Sequence, residues 1–350
     1  MISTEVIVVG DLHLEGLNTL FSSGDDKIYA CLDQVVKYAE ENDVSTIIIT
    51  GDIINNASPE QDTLTRLLRY CILHGHLHWY FILGNHDIHS TDKHSSEFIE
   101  FIHKHKLVPN IHFYEQETLE YVNKVPFVFL PYPLVKRQTT KFPTVNVAHI
   151  ETLGAKYENG RVITKGISLN KSVDYWIIGH LHSYQVYERV VYPGMMYQKT
   201  FGDDKKKGFL HCTIKWSSTK LNVTHKFIPI SLPFRLHTID VNSVDDLNQV
   251  KKSESELYKL FVRSNIVIPS SFLSDYPNVI KHQPFKDNNE LAAYKAGDYS
   301  LDEVQAADTK KLATRDLSEF LRLKKFDVSK IKRAKGIVTA MINDIVAEDS

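Results

Sequence analysis

The sequence predicts a layered α/β protein, and three observations carry that reading. Runs rich in β-branched and aromatic residues alternate with stretches of helical apolar spacing over the first half of the chain, the pattern of strands joined by helices with early parallel pairing. Short polar clusters containing His and Asp follow the strand-like runs directly. From about residue 185 the helical spacing stops while β runs continue, which reads as an antiparallel finish to the same unit.

Taken in order, Glu5–Val9 is an apolar run closed by Gly10. Residues 26–42 put Ile28, Leu32, Val35, Val36 and Ala39 on one helical face. Thr46–Thr50 is a β run of three isoleucines between threonines. Ser58 and Pro59 open a second helix as N-cap and first residue, with Gly75 at its end. Trp79–Leu83 is the next strand, Ser95–Lys106 a helix, and strands follow near 126–130, 145–148 and 173–178. Further β runs lie at 185–192, 208–215 and 221–230, and Pro229 and Pro233 mark a boundary, so that 1–232 forms one domain. Residues 233–283 form a second, small α/β unit read as strand, helix, strand, helix: Phe234–Val241, Val244–Lys251, Leu257–Arg263 and Ser270–Ile280. The last part, 284–350, starts in a polar linker (His282–Asn289) and continues as a helical tail. In it Ile331, Ala334, Val338, Met341 and Ile345 recur at three- and four-residue steps.

The bulk composition excludes little. A chain of 350 residues can bury a large core in two or three domains, and 43% hydrophobic with 24% charged residues is ordinary for a globular protein. A net charge of −2 neither argues for nucleic acid nor excludes a local basic groove. Cys31, Cys71 and Cys212 are odd in number and widely spaced, so no disulfide framework or zinc knuckle is expected and a reducing compartment is. The most apolar stretch, Val125–Val135, is short and broken by Pro126, Pro131 and Pro133. No signal peptide is visible either, and the expected location is cytoplasmic, away from membranes.

The 17 histidines are the compositional oddity, and their positions carry the chemistry. Five clusters follow strands: Asp11-Leu12-His13, Gly51-Asp52, Gly84-Asn85-His86-Asp87, His149, and Gly179-His180-Leu181-His182. Ligands of open parallel sheets sit beyond the carboxyl ends of the strands. Five strand ends would therefore deliver carboxylates, imidazoles and one amide to a single edge. That mixture suits manganese, iron or zinc. A bridging carboxylate can hold two such ions, which acidify a water and clamp the oxygens of an in-line displacement at phosphorus. Each cluster alone has a plain reading: Gly-Asp is a common turn, and a lone His149 is an ordinary structural histidine. Order, spacing and placement join them. Gly75-His76-Leu77-His78 repeats the Gly-His-Leu-His tetrad but precedes the strand Trp79–Leu83, which puts His78 roughly 20 Å from Asn85 at ~3.3 Å per residue. It is read as a solvated pair at a helix end.

The five clusters resemble the D-x-H, GD, GNHD, H and GHxH pattern of the calcineurin-like metallophosphoesterases. The resemblance implies a layered β-sandwich flanked by helices. It implies one metal on Asp11, His13, Asp52 and His182, and a second on Asp52, Asn85, His149 and His180, with Asp52 bridging. It makes His86 the catalytic contact to the phosphate and Asp87 the residue that orients His86. Within the superfamily the chain is similar to the SbcD-type DNA-repair nuclease subunits, including those of T-even phages. Tyr192-Pro193-Gly194, Phe201-Gly202-Asp203-Asp204 and Lys207-Gly208-Phe209 resemble their segment after GHxH. The small α/β unit resembles their DNA-capping domain, and the tail resembles the region that grips an SbcC-type coiled-coil ATPase. The resemblance thus implies a manganese-dependent DNA exonuclease and endonuclease subunit of a repair and recombination complex, with DNA and the ATPase as partners and a homodimer as its state. Asn55 departs from the pattern, standing where relatives carry a carboxylate or imidazole; it leaves the ligands intact and bears on the balance of the two nuclease activities. The alternatives are a nucleotide phosphodiesterase or phosphatase of the same superfamily, and a scaffold without catalysis. Lys136-Arg137, Lys141, Lys156 to Lys165 and Lys205–Lys207 either line a DNA groove or are solvated surface.

Overall fold

The computed structural model describes residues 1–90, 93–94, 104, 106–133, 140–169 and 174–299. The Ser95–Lys106 helix, apart from 104 and 106, lies outside them, as do Lys136, Arg137 and the tail from 300 onward. In chain order the elements are β1 (Ile2–Val9), α1 (Gly24–Glu41), β2 (Thr46–Ile49), α2 (Gln61–Leu73), β3 (His78–Ile82), β4 (Ile88–Ser90), β5 (Lys93–His94) and β6 (Ile111–Tyr114). Then come β7 (Thr118–Val122), β8 (Val125–Leu130), β9 (Val145–His149), β10 (Tyr175–Gly179), β11 (Gln185–Tyr187), β12 (Val190–Tyr192), β13 (Gly208–Ser217) and β14 (Lys220–Pro229). The chain continues through β15 (Arg235–Val241), a 3₁₀ turn over Val244–Gln249, β16 (Glu256–Arg263), α3 (Ser270–Asp275), β17 (Val279–Phe285) and α4 (Asn288–Tyr299).

Two mixed six-stranded sheets form the body, ordered β14-β13-β1-β2-β3-β6 and β11-β12-β10-β9-β8-β7. Strands β1, β2, β3 and β6 run parallel, and β13 and β14 add antiparallel at the edge. In the other sheet β8, β9, β10 and β12 are parallel, with β7 and β11 antiparallel at the edges.

Alternation of side chains explains why the sheets stack. Val6 and Val8 of β1, Ile48 of β2, and Tyr80 and Ile82 of β3 face Phe127, Phe129, Val145, Val147, Tyr175 and Ile177 of the second sheet. Their neighbours Ile7, Val9, Ile47, Ile49, Trp79 and Phe81 point the other way, onto Ile28, Leu32, Val35, Val36 and Ala39 of α1 and Leu64, Leu67 and Leu68 of α2. Strands buried on both faces read as continuous apolar runs, as these do. Behind the second sheet, Trp176, Ile178, Ala148 and Tyr192 pack against Ala155 and Ile163 of the loop after β9.

Several elements depart from the sequence reading. Helix α2 starts at Gln61 with Glu60 as its N-cap and without a side-chain cap bond, so Ser58 does not cap it. Strands β6 and β7 lie in a stretch where the sequence reading placed no element. In the small unit α3 stops at Asp275, and Val279–Phe285 is a third parallel strand, so the expected linker at 282–289 is partly strand and partly the start of α4. Polar Lys281, His282 and Gln283 hide this strand in the sequence. They are tolerable because β17 is an edge of the sheet β15-β16-β17, where Pro284 is also permitted. This unit has its own core of Ile239, Val241, Leu247, Val250, Tyr258, Leu260 and Val262. Phe234, Leu236 and Leu257 join the first core beside Met195 and Tyr197. Among the described residues no helix is long and apolar enough to cross a membrane.

Phe129 stacks on Tyr114 at 4.4 Å and on Tyr80 at 5.6 Å in the seam between the sheets. Phe129→Ala should lower the unfolding free energy by about 3–5 kcal/mol in urea titrations; a loss under about 1 kcal/mol would mean that the sheets do not meet through this residue.

Candidate metal centre

Register brings the strand ends level. Val9 pairs with Ile49, Ile49 with Phe81, and Gly179 with His149. The loops leaving β1, β2, β3 and β10, together with the last residue of β9, therefore open at one edge of the sandwich. They are stitched by backbone bonds: the amides of Leu12 and His13 donate to the Asp52 carbonyl at 3.0 and 2.8 Å, and that of Asn55 donates to Leu14 at 2.8 Å. The turns are tight enough to force His13 (φ 43°), Asp52 (φ 45°) and His180 (φ 93°) into the left-handed region, each at a cost of about 1–3 kcal/mol. Close approach also fixes two glycines. Gly51 has φ 106°, and a methyl on Gly84 would run into the Asp52 carboxylate.

The structure brings every expected ligand together. Asp11, His13 and His182 each place one ligand atom within 4.8 Å of the others, as do Asp52, His149 and His180, and His13, Asp52 and His86. Asn85 Oδ1 lies 3.0 Å from His149 Nε2 and 2.9 Å from His180 Nδ1. Asp52 stands between the groups: its Oδ2 is 3.6 Å from His13 Nε2 and 3.3 Å from His149 Nε2, while Oδ1 accepts the His86 amide at 2.8 Å. His149 donates Nδ1–H to the Thr50 carbonyl at 2.9 Å, which turns Nε2 toward the carboxylates. By contrast the repeated tetrad at 75–78 sits at the far end of β3. There His76 pairs with Glu40 at 2.9 Å and His78 with His112 at 3.2 Å.

The donor set fits divalent cations. Nitrogen and oxygen donors of this mixture suit borderline metals. Moreover His13 Nε2, buried and aimed at Asp52, has no hydrogen-bond partner among the described residues, which is the state of a base kept for a cation. Asp11 and Asp52 are both buried. Burial pushes the Asp11 carboxyl above its ordinary range. Burial pushes Asp52 up too, but His149, His13 and His86 outweigh it and hold that carboxyl well below the usual range. For His149 burial acts downward, and the Asp52 and Asp11 charges overcome it and lift the imidazole to about 9. Burial, then Lys199 and His86, press His13 well down, so it stays neutral and able to ligate. Protons and histidine charge thus balance the carboxylates when no cation does.

Asp87, expected to orient His86, has oxygens that accept the amides of Gly84 at 2.8 Å and of Ile53 and Ile54 at 3.2 Å, and so it ties the β2 loop to the β3 loop. Burial and the nearby Asp52 charge push its carboxyl up to about 7. The His86 ring is held through Nδ1, 2.7 Å from the Asn55 carbonyl oxygen. Asn55 thus matters through its backbone, while its buried side-chain Oδ1 has no hydrogen-bond partner among the described residues.

Glu151 and Glu158 went unread in the sequence, and Lys207 was read there only within a nuclease-like stretch and a lysine run. Glu151 Oε1 sits 3.3 Å from His180 Nε2, Glu158 accepts the His182 amide at 2.7 Å, and Lys207 donates to the His182 carbonyl at 3.1 Å. Glu151 lies two residues after His149, just past the end of β9, and that nearness to a ligand was the signal that could have found it. Lys207 is buried with Asp203 at 3.4 Å, which removes it from the exposed DNA-groove lysines.

A family model for calcineurin-like phosphoesterases matches residues 4–184, just over half of the chain. The chain belongs to that family. Among solved structures, the crystal structure of TT1561 of Thermus thermophilus is similar over 63% of this chain and 98% of its own, at 10% identity and a TM-score of 0.30. At that likeness it adds nothing to the family match. The matched range contains all five clusters, so this calcineurin-like phosphoesterase carries its candidate metal sites inside the family's own segment.

Cation binding to this phosphoesterase must displace the His149 proton. Below about 9 the apparent affinity should therefore fall as pH falls, approaching tenfold per unit, with proton release visible by calorimetry in buffers of different ionisation heat. An affinity flat between pH 7 and pH 9 would contradict the assigned charge balance.

Proposed function

We propose that this phosphoesterase is a manganese-dependent DNA nuclease, the catalytic subunit of an SbcCD-like repair and recombination complex. The supporting observation is the segment after the last ligands. The chain between Tyr192 and Lys207, which spans its nuclease-like stretches, bonds to expected ligands and to residues beside them. The Tyr192 hydroxyl donates to the Ile150 carbonyl at 3.1 Å, the Met195 amide donates to the His182 carbonyl at 3.0 Å, and the Tyr197 hydroxyl lies 2.8 Å from the Leu12 carbonyl. Asp203 accepts the Lys199 amide and pairs with Lys207, which reaches His182. The segment that resembles these nucleases thus helps support the site, and that supports the reading.

Two divalent cations, when held by Asp11, His13, Asp52 and His182 and by Asp52, Asn85, His149 and His180, supply Lewis acidity toward a phosphodiester and acidify a water. The remaining work falls to His86. With Nδ1–H given to the Asn55 carbonyl, Nε2 is the atom turned to substrate. It contacts the phosphate and, when protonated, donates to the leaving oxygen. Asp87 acts at one remove by locking the loops that carry Asn55 and His86.

In this reading residues 1–232 are the nuclease domain, 233–283 a unit that caps DNA ends, and 284–350 the tether to a coiled-coil ATPase, with two copies forming a dimer. Exposed Lys141, Lys156, Lys165, Lys205 and Lys206 are available for phosphate contacts.

Purified protein with Mn2+ should degrade linear DNA, and His86→Asn should slow that by about 10²–10⁴-fold while its melting temperature holds. A wild type inert on DNA that hydrolyses cyclic nucleotides or phosphopeptides would overturn the substrate assignment while leaving the family standing.

A further inference from the structure

We propose that the loop from Glu151 to Ile167 is a carboxylate clamp on the last two ligands, with Glu151 positioning the His180 imidazole and Glu158 positioning His182. The inference rests on the two-metal reading and adds residues to it. His180 carries the least favourable backbone of the expected ligands, at φ 93°. Three carboxylates hold the turn around it. Asp11 accepts the His180 amide with both oxygens at 3.1 Å, Glu158 Oε1 accepts the His182 amide at 2.7 Å, and Glu151 Oε1 faces His180 Nε2 at 3.3 Å.

The ring contact decides the chemistry. His180 Nδ1 points to Asn85 Oδ1 at 2.9 Å, into the site, and Nε2 points out to Glu151. A proton on Nε2 shared with a carboxylate leaves the Nδ1 lone pair inward, fixes the ring and makes it a stronger base. Glu151 is itself fixed. The Tyr157 hydroxyl donates to the same Oε1 at 2.8 Å, and Arg161 lies over the Tyr157 ring at 4.8 Å. The loop is tied down along its length. Thr152 bridges Ile167, Lys156 bridges Val162, and Gln185 bonds Lys156 from both ends of its amide. Ala155 and Ile163 anchor it in the core behind the second sheet. Both glutamates reach the same turn from one loop, so the loop sets the two sites together.

The test counts metal directly. Mn2+ titrations of the full chain, with free ion read by electron paramagnetic resonance, should show two steps for the wild type. Glu151→Ala should weaken one step by about 10–100-fold and leave the other near wild type, and Glu151→Gln, which keeps an acceptor for Nε2–H, should recover most of it. Glu158→Ala should weaken the other step. Tyr157→Phe, which removes the hydroxyl that holds Glu151, should weaken the Glu151-dependent step a few-fold. A role confined to folding would shift both steps alike or neither. Wild-type isotherms for both alanine variants, or a glutamine variant no better than alanine, would overturn the clamp. Because the readout is bound metal, loss of the clamp and loss of the nuclease reading are distinguishable: a chain that binds two ions in the expected pattern and leaves DNA intact fails only the latter. A wild type that took up no Mn2+ would overturn the clamp together with the metal centre.

Discussion

The burial of Asp11 and Asp52 between the loops of two sheets is the constraint on which the site depends. Two carboxylates out of water repel each other, and a buried charge is tolerated only when it is paired and hydrogen-bonded. Every neighbour answers that demand. His149 takes charge from both carboxylates, backbone amides of His86 and His180 donate to them, and the left-handed turns at His13, Asp52 and His180 are the shape needed to bring these donors within reach. A divalent cation satisfies the same demand better than a proton, since it also uses the lone pair of His13 Nε2. The fold supplies the walls: the strand ends that lead to the ligands are buried on both faces, so the ligand side chains gather where the strands stop.

The parts legible in the sequence were those with a side-chain signature. The alternating runs of β1, β2 and β3 announced strands buried on both sides, and the apolar stripe of α1 announced the helix that covers them. The five clusters were legible because ligand chemistry needs particular side chains, and strand direction separated them from the tetrad at 75–78. Strand β7 was missed because its outward residues, Leu119 and Tyr121, are exposed on an edge. Strand β17 was missed because its polar residues imitate a linker.

Contacts made by the backbone were not legible at all. The ring of His86 is held by a carbonyl that any residue at position 55 could offer, so the side chain of Asn55 does not decide that contact. Asp87 looked like a partner for a histidine because carboxylates often are. Its geometry adds a task that the sequence does not announce, the capping of three backbone amides beneath the site. The glutamates of the loop after β9 belong to the same class: their chemistry is visible in the sequence, but only tertiary structure shows which turn they grip.

The central claim is that Asp52 joins two cation sites in one centre. The most direct test is a crystal grown with Mn2+ and measured at the manganese absorption edge. The account predicts two anomalous peaks in the crevice, both in contact with the Asp52 carboxylate, one beside His13 and one beside His149. A single peak, or two peaks without Asp52 between them, would contradict it.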